Sequence, residues 1–421
     1  MSMSDTHRAI DAVWRIEQAK LIASLTRFTR DIGQAEELAQ EALLTALEQW
    51  PKSGIPEKPG AWLMTAAKNR AIDKIRKAKL ADSKHAEIGR SRDAEQEEAL
   101  EALDAALDDT IGDDLLRLIF ISCHPVLSTE ARTALTLRLI GGLTTEEIAR
   151  AFLQTETTIA QRIVRAKRTL AEKQVAYELP RGAELLARRD SVLMVLYLIF
   201  NEGYAATQGD DWMRPQLCEE ALRLGRILAG LMPEESEVHG LVALMEIQAS
   251  RLNARSGPDG EPILLLDQDR ALWDQLLIRR GLAALARAEA LDPELGRYGL
   301  QAAIVACHAR AAKASDTDWG RIAALYDIMA AREASPVVEL NRAVAHSMRS
   351  GPQAGLDLVD ALVGEETLKN YHLLPSVRGD FLMKLGRHAE AEAEFRHAAA
   401  LTQNARERSL LLRRADACRH S

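Results

Sequence analysis

Several features that define enzymes, membrane proteins and secreted proteins are missing from this sequence. Aromatic residues make up only 4% of 421 residues. No apolar stretch approaches the ~18 residues that span a bilayer, and the start lacks the apolar core of a signal peptide, so we expect a cytosolic protein. Neither a GxxxxGK[ST] loop nor an HExxH pattern occurs, and we predict no metal site and no cofactor.

Cysteines are few and scattered. They are Cys123, Cys218, Cys307 and Cys418. No CxxC pair and no His/Cys cluster occurs among them, which excludes the usual patterns of a disulfide framework or a zinc site. We therefore expect four buried, reduced thiols.

Charge is unevenly distributed. The net charge of −8 disfavours nucleic acid as a partner, but residues 68–79 carry six basic and one acidic residue, and residues 162–173 carry five and one. Between them, residues 82–114 hold twelve acidic and three basic residues. Because a phosphate backbone meets a local patch and not the whole-chain charge, either basic segment can still bind DNA.

The composition, rich in Ala, Leu, Glu and Arg, predicts an all-α fold, and the length predicts two or three domains. Four regions emerge along the chain. Residues 8–79 read as a compact helical unit and 80–112 as an acidic linker that can be partly helical. Residues 113–175 form a second small helical unit, and 180–421 form a much longer helical region.

The last region shows weak self-similarity at the period of helical-hairpin repeats. The clearest unit has the spacing of the packing positions of a tetratricopeptide repeat: Gly379, Ala391, Phe395 and Ala398. A second unit with the same relative spacing would pack through Ala324, Ile328 and Ala331, and Pro336 would stop its second helix. The alternative is a generic helical domain in which alanine recurs by chance.

The helix predicted over 61–77 has an apolar and a polar half. The apolar half consists of Leu63, Met64, Ala67, Ala71, Ile72 and Ile75. The polar half consists of Trp62, Asn69, Asp73 and Arg76, with Arg70 and Lys77 at its margin. An aromatic ring can stack on an unpaired base, an amide can read a base edge, and cations can hold phosphates. The alternative is a solvated face with one half-buried tryptophan.

Residues 142–170 predict two short helices joined by a tight turn. Thr144 and Glu147 form a capping box for the first helix, and Thr155 can cap the second. The predicted buried stripe of the second helix is Ile159, Ile163, Ala166 and Leu170. Its exposed face is Thr157, Gln161, Val164, Arg165 and Arg168, with Arg162 on the flank. This pattern is typical of a helix-turn-helix that enters the major groove, and an ordinary α-hairpin is the alternative.

A third helix carries acidic residues on one side. Glu37, Glu41 and Glu48 lie along that side. Leu38, Ala42 and Ala46 line another side. An acidic stripe repels DNA but suits a basic protein partner, where complementary charge speeds the encounter and fixes orientation.

In this order, the three motifs resemble those of bacterial RNA polymerase sigma factors of the extracytoplasmic-function class, in the sigma-70 family. The resemblance covers the chain up to residue 170. Residues 35–41 are similar to the helix that binds the clamp coiled coil of the polymerase β′ subunit. The core-binding residues that this implies are Glu37, Leu38, Gln40 and Glu41. The resemblance also implies contact with the β flap and with promoter DNA, and a protein that is not an enzyme.

Residues 59–76 are similar to the stretch that recognises and melts the −10 element in that family. The implied −10 residues are Trp62, Lys68, Asn69, Arg70, Asp73, Arg76 and Lys77. Residues 142–170 match the family's helix-turn-helix without a gap. The implied −35 residues are Thr157, Thr158, Gln161, Arg162, Arg165 and Arg168. Two positions depart from the family pattern, Leu153 in place of the usual turn glycine and Ala160 in place of a frequent basic residue, and both affect the transfer of single −35 contacts.

The long tail, residues 180–421, includes LIFNEGYAAT at 198–207 and resembles the extension of a subgroup with tetratricopeptide-like repeats. Two roles stay open for the tail. It could bind a regulatory protein or peptide on a concave repeat surface, or pack on the sigma domains and support them. The acidic linker is either a soluble tether or a cover for the basic helices.

Two other function classes stay open. A repeat-containing helix-turn-helix activator would bind DNA without joining the polymerase, but it leaves residues 35–77 unexplained. An enzyme within 180–300 would need acid, base or metal groups, for which the candidates are Asp210, Asp211, Glu219, Glu220 and His239. Their spacing matches no metal-ligand motif.

Overall fold

The computed structural model describes residues 3–82, 111–152, 154–205, 213–257 and 260–419. Within these ranges the chain is helical and has no β-strand, which confirms the all-α prediction. No helix in the described ranges has the length and apolar character that crossing a membrane requires. Nearly all of the predicted acidic linker lies outside the described residues.

The chain forms two compact units, Met1–Leu196 and Tyr197–Ser421. In the first unit, three long helices form what we call the first bundle: α1 (Met3–Thr29), α2 (Ile32–Ser53) and α3 (Pro59–Asp82). Four shorter helices form the second bundle: α4 (Ile111–Ser122), α5 (Thr129–Leu139), α6 (Thr145–Ala151) and α7 (Glu156–Glu172). Helix α8 (Ala183–Tyr204) begins in the first unit and ends in the second.

The second unit is a succession of antiparallel helices with short 3₁₀ turns between some of them. Its helices are α9 (Pro215–Leu231), α10 (Ser236–Ala249), α11 (Gln275–Leu291), α12 (Arg297–Arg310), α13 (Trp319–Arg332), α14 (Pro336–Ser350), α15 (Pro352–Asp360), α16 (Leu373–Lys384), α17 (His388–Leu401) and α18 (Ala405–Ala417). Consecutive helices pack on one another along most of this order, as expected of a helical repeat array.

Helix α2 shows how the local sequence sets an element of the first bundle. The Asp31 side chain accepts a hydrogen bond from the Gln34 amide and starts the helix. Gly54 ends it with φ at 85°, a conformation that other residues rarely adopt, and its amide donates to the Trp50 carbonyl at 2.9 Å. The predicted buried side of the helix, with Leu38 and Ala42, faces the bundle core.

The start of α8 packs against the second bundle. Arg188 donates to the Phe120 carbonyl at 3.2 Å, and the Ser191 hydroxyl donates to the Cys123 carbonyl at 2.6 Å. Arg132 of α5 in turn donates to the Ser191 hydroxyl at 2.5 Å. Since these contacts satisfy buried polar groups, a fragment that keeps the second bundle intact should extend to residue 196.

The clearest predicted repeat unit packs as expected. Ala391, Phe395 and Ala398 are fully buried on α17, and a Cβ added at Gly379 of α16 would lie 3.0 Å from the Phe395 ring. These positions are therefore confirmed as the packing positions of a helical hairpin. Whether this hairpin is a tetratricopeptide repeat stays a prediction.

The second predicted unit is wrong about the packing face of α13. Ala324, Ile328 and Ala331 are exposed, with Ile328 42% exposed. The buried stripe of this helix is Ile322, Ala323, Leu325 and Met329. The repeat spacing placed Ala324 and Ile328 on the contact face, but the face with Ile322, Leu325 and Met329 has more large apolar side chains. It therefore buries more apolar surface and sets the rotation of the helix. Pro336 is the first residue of α14, where its missing amide hydrogen costs nothing.

Candidate nucleic-acid interface

Helices α6 and α7 form a helix-turn-helix with the predicted caps. The Thr144 amide donates to the Glu147 carboxylate at 2.8 Å, and the Glu147 amide donates to the Thr144 hydroxyl at 3.1 Å. This reciprocal pair is the capping box. The Thr155 hydroxyl accepts from the Thr158 amide at 3.2 Å and starts α7. Both predicted helix starts are confirmed.

The capping box gives a local test. We expect Thr144→Ala to destabilise α6 by about 1 kcal/mol, because the Glu147 amide loses its partner. Hydrogen exchange of the α6 amides should then speed up about fivefold. The neighbouring Thr145→Ala, which leaves the capping box intact, is the matched control. Equal exchange in both variants would contradict the assignment of the box.

Helix α7 presents the predicted face to solvent. Its buried residues are Ile159, Ile163, Ala166 and Leu170, as predicted. The predicted −35 residues Thr157, Thr158, Gln161, Arg165 and Arg168 are exposed, and Arg162 is half-buried on the flank. Arg168 pairs with Glu172 at 2.6 Å, whereas Arg165 forms no ion pair with any residue that the structure describes. Hydroxyl, amide and guanidinium groups therefore share one accessible helix face, the composition that reads base edges and phosphates.

Helix α3 carries the predicted −10 residues in three different settings. Asn69 and Asp73 are exposed, and Lys68 is half-buried. Trp62 is also half-buried, with its ring edge-on to Trp50 at 5.3 Å between centroids. The side chains of Arg76 and Lys77 lie outside the described residues.

Arg70 differs from the other predicted −10 residues because it is tied to α2. Its guanidinium donates to the Thr45 hydroxyl at 2.7 Å and to the Glu41 carboxylate at 3.4 Å. The structure thus brings together a predicted DNA-binding residue and a predicted polymerase-binding residue. In this arrangement Arg70 fixes α3 against α2.

The predicted polymerase-binding residues of α2 are also in different settings. Glu37 and Gln40 are exposed, and Glu41 is half-buried. Leu38 is only 3% exposed and packs inside the first bundle. Leu38 therefore supports the helix from within, and the accessible part of this face is polar and acidic.

Glu36, which the sequence analysis did not single out, joins the two bundles. It is 5% exposed, and its carboxylate pairs with Arg138 of α5 at 2.9 Å and with Lys167 of α7. Gln18 of α1 donates to the Arg138 carbonyl at 3.1 Å across the same contact. Glu36 lies on the buried side of α2, between Ala35 and Leu38, and an acidic residue on a buried helix face was the available signal.

A second polar contact lies elsewhere between the bundles. The Tyr177 hydroxyl is within hydrogen-bond distance of the Ala23 carbonyl, at 2.7 Å, and of the Asp114 carbonyl, at 2.9 Å. Asp114 pairs with Arg117 at 2.6 Å and with Arg27 of α1 at 3.7 Å. Burial raises the pKa of the Asp114 carboxyl above its ordinary value, and the two arginines oppose that shift. Each bundle thus contributes one buried carboxylate, Glu36 or Asp114, that pairs with a cation of the other bundle.

Among the described residues, the groups considered for an enzyme site do not converge. Asp210 and Asp211 lie outside the described residues. Glu220 pairs with Arg223 on its own helix, and the His239 ring contacts the Pro233 carbonyl at 2.9 Å. In the parts of the chain that the structure describes, no group of three or more His, Cys, Asp or Glu side chains could hold a metal ion. The four cysteines are buried and free, as predicted.

Models of known protein families match three segments of the chain. Sigma-70 region 2 matches residues 14–80, and Sigma-70 region 4 matches residues 117–170. A family of unknown function, DUF6596, matches residues 188–289. The first two segments coincide with the first bundle and with most of the second.

The chain is also similar to individual proteins. It is 40% identical over 399 residues to an uncharacterized protein of Rhizobium meliloti, covering 94% of this chain and 93% of that protein. A probable ECF RNA polymerase sigma factor SigI of Mycobacterium tuberculosis is 28% identical over 170 residues, or 40% of this chain and 57% of SigI. The ECF RNA polymerase sigma factor SigK of Mycobacterium ulcerans is 29% identical over 150 residues, or 35% of this chain and 75% of SigK.

Proposed function

We propose that this chain is a sigma factor of the extracytoplasmic-function class, because Sigma-70 regions 2 and 4 match its two bundles, and that its helices divide the work of transcription initiation. Helix α2 binds core RNA polymerase, α3 binds the −10 element, and α7 binds the −35 element. The second unit regulates this activity through contacts within the chain or with a partner.

The observation that carries this proposal is the opposite charge of two accessible helix faces on different bundles. Arg165 and Arg168 of α7 favour DNA, whereas Glu37 of α2 repels it. A protein that only bound DNA would have no use for the acidic face. A basic partner surface on the polymerase accounts for it, and complementary charge would orient the two proteins.

Within the first bundle, we assign Arg70 the role of holding α3 against α2. Its bonds to Thr45 and Glu41 use donors that would otherwise contact phosphate. Asn69 and Asp73 are then the accessible described residues of the −10 face, and Trp62 offers the edge of a ring for stacking.

Promoter binding requires the two bundles to move apart. The two promoter elements are roughly 25 base pairs apart by their names, or about 85 Å at ~3.4 Å per base pair. In the structure, Glu36 of α2 pairs with Lys167 of α7, the helix assigned to the −35 element. We therefore propose that the described arrangement belongs to the free protein and that the Glu36 contact breaks when the polymerase and promoter are bound.

The proposal is tested by transcription in vitro with bacterial core polymerase and a library of promoter sequences. The full chain is compared with the fragment Met1–Leu196, which keeps the contacts of α8 with the second bundle. Promoter-specific transcripts with the full chain would support the sigma-factor assignment. Greater activity of the fragment would mean that the second unit restrains it, and lower activity would mean that the second unit supports it.

The rival function, a DNA-binding activator outside the polymerase, makes a different prediction. Such a protein binds promoter DNA without core polymerase and does not co-purify with it. Absence of both transcripts and co-purification would therefore overturn our proposal. Core binding without transcripts would instead indicate a missing signal that acts through the second unit.

A further inference from the structure

The accessible face of α7 has one large apolar member, Val164. It is 63% exposed, more than any other large apolar residue that the structure describes. Its side chain points away from the buried stripe, which includes Ile163 and Ala166. Val164 is exposed even though Lys167 of the same helix pairs with Glu36, so the contact between the two bundles does not cover it.

The side chains around Val164 are groups that can bind DNA. Gln161 lies three residues before it and Arg168 four residues after it, and residues at these spacings are neighbours on a helix surface. Arg165 is the next residue, and all three of these side chains are exposed. From Thr157 to Arg165 the helix rises about 12 Å at ~1.5 Å per residue, the length of about three to four base pairs. Val164 thus lies within the segment whose side chains are assigned to reading bases.

Neither helix formation nor packing within the protein accounts for a valine at this position. Valine is a weaker helix former than arginine, glutamine or lysine, because its branched side chain loses rotamer freedom in a helix. An exposed apolar side chain also gains little free energy from burial. Single exposed apolar residues are common on protein surfaces. Val164 differs because it lies among the residues assigned to DNA, where a bound duplex would cover it.

The major groove of DNA offers one apolar group to such a side chain. The edges of the base pairs present hydrogen-bond donors and acceptors there, and the C5-methyl group of thymine is the exception. The valine side chain has neither a donor nor an acceptor, so it cannot bind the polar edges or hold a phosphate. The thymine methyl group is therefore the chemical complement of Val164.

We propose that Val164 contacts the C5-methyl group of a thymine in the −35 element and thereby selects an A·T pair at that position. The inference rests on the proposed binding of α7 to the −35 element. It adds a specificity-determining residue to that helix, one that differs from the polar and charged −35 residues named above. Gln161 and Arg165, which adjoin Val164, are left to bind the polar edges of the same or neighbouring base pairs.

The test is a double-mutant cycle between protein and DNA, with polymerase reconstituted from bacterial core enzyme and the full chain. The DNA is a promoter fragment from the transcription library in which each −35 thymine is replaced in turn by deoxyuracil, which lacks only the methyl group. We expect one of these replacements to lower the affinity about fourfold, because a buried methyl group contributes about 0.8 kcal/mol. Val164→Ala should cause a similar loss on the thymine fragment and no further loss on that deoxyuracil fragment.

The matched control is Val337→Ala. It makes the same change at an exposed position of α14, where Val337 is 40% exposed, and it should leave the affinity for both fragments unchanged. Val164→Ala should keep α7 folded, because alanine is the better helix former. Circular dichroism checks that both variants have the helix content of the natural sequence.

Three results would overturn the proposal while leaving the assignment of α7 intact. One is equal affinity of the natural sequence for the thymine fragment and every deoxyuracil fragment, although a scrambled −35 element still weakens binding. Another is a loss in Val164→Ala that is the same on all fragments, because Val164 would then act without the methyl group. The third is a preferred −35 element that contains no A·T pair. If scrambling the −35 element has no effect, the assignment of α7 is itself overturned, and this inference with it.

Discussion

Replacing Arg165 by alanine is expected to weaken binding at the −35 element roughly five- to hundredfold, because a guanidinium that reads a base edge contributes about 1–3 kcal/mol of discrimination. Arg165 is exposed on α7 and projects from the side opposite Ile163 and Ala166. Its removal leaves the buried stripe untouched, so the helix-turn-helix should keep its stability. The loss of binding affinity should be largest on promoters with the preferred −35 sequence.

The measurement is the affinity of the reconstituted polymerase for a promoter fragment and for the same fragment with a scrambled −35 element. Lys173→Ala is the control, because Lys173 is exposed just beyond the end of α7. If Lys173 contacts a phosphate, Lys173→Ala should lower the affinity for both promoter fragments by the same factor. Equal loss of core-polymerase binding in a pull-down of Arg165→Ala would contradict the assignment of α7 to DNA.

Replacing Arg138 by glutamine is expected to open the contact between the bundles and to tighten binding to core polymerase about five- to thirtyfold. Without the Arg138 guanidinium, Glu36 keeps Lys167 as its remaining ion-pair partner in the described residues. An incompletely paired buried carboxylate destabilises the closed arrangement, whereas in the open arrangement water solvates it. Because Arg138 and Lys167 are partly exposed, we expect the lower part of the usual range, about 1–2 kcal/mol.

A second variant from the other bundle checks this interpretation. Gln18→Ala removes a hydrogen bond to the Arg138 carbonyl without altering the second bundle, and should act in the same direction with a smaller effect. Arg181→Gln, an exposed arginine outside the contact, should change nothing. The radius of gyration from small-angle scattering should increase for Arg138→Gln. A larger radius with unchanged polymerase affinity would show that the closed arrangement does not restrain the protein.

Local sequence determined the helix-turn-helix almost completely. The capping box of Thr144 and Glu147, the Thr155 cap and the stripe at Ile159 and Ile163 are all as predicted. These features depend on hydrogen bonds three residues apart and on a period of 3.6, which neighbouring residues supply without help from the rest of the chain. The same reason explains the buried side of α2 and the hairpin at Phe395.

Where two helix faces compete, local patterns failed. The repeat spacing suggested a packing face of α13 at Ala324 and Ile328, but the neighbouring face with Ile322 and Met329 is buried instead. The rotation of a helix is decided by the total apolar surface that its neighbours can cover. A spacing rule for one repeat family does not contain that information.

By itself, then, the sequence determined the helical fold, the helix starts and the similarity of the two bundles to Sigma-70 regions 2 and 4. Only the tertiary structure decided which distant groups meet. Arg138 and Lys167 lie 102 and 131 residues from Glu36 along the chain, and no periodicity relates them. Arg251 and Tyr204 meet across 47 residues in the same way. Amphipathic patterns tell which face of a helix is buried, but the partner of a buried charge depends on how the bundles pack.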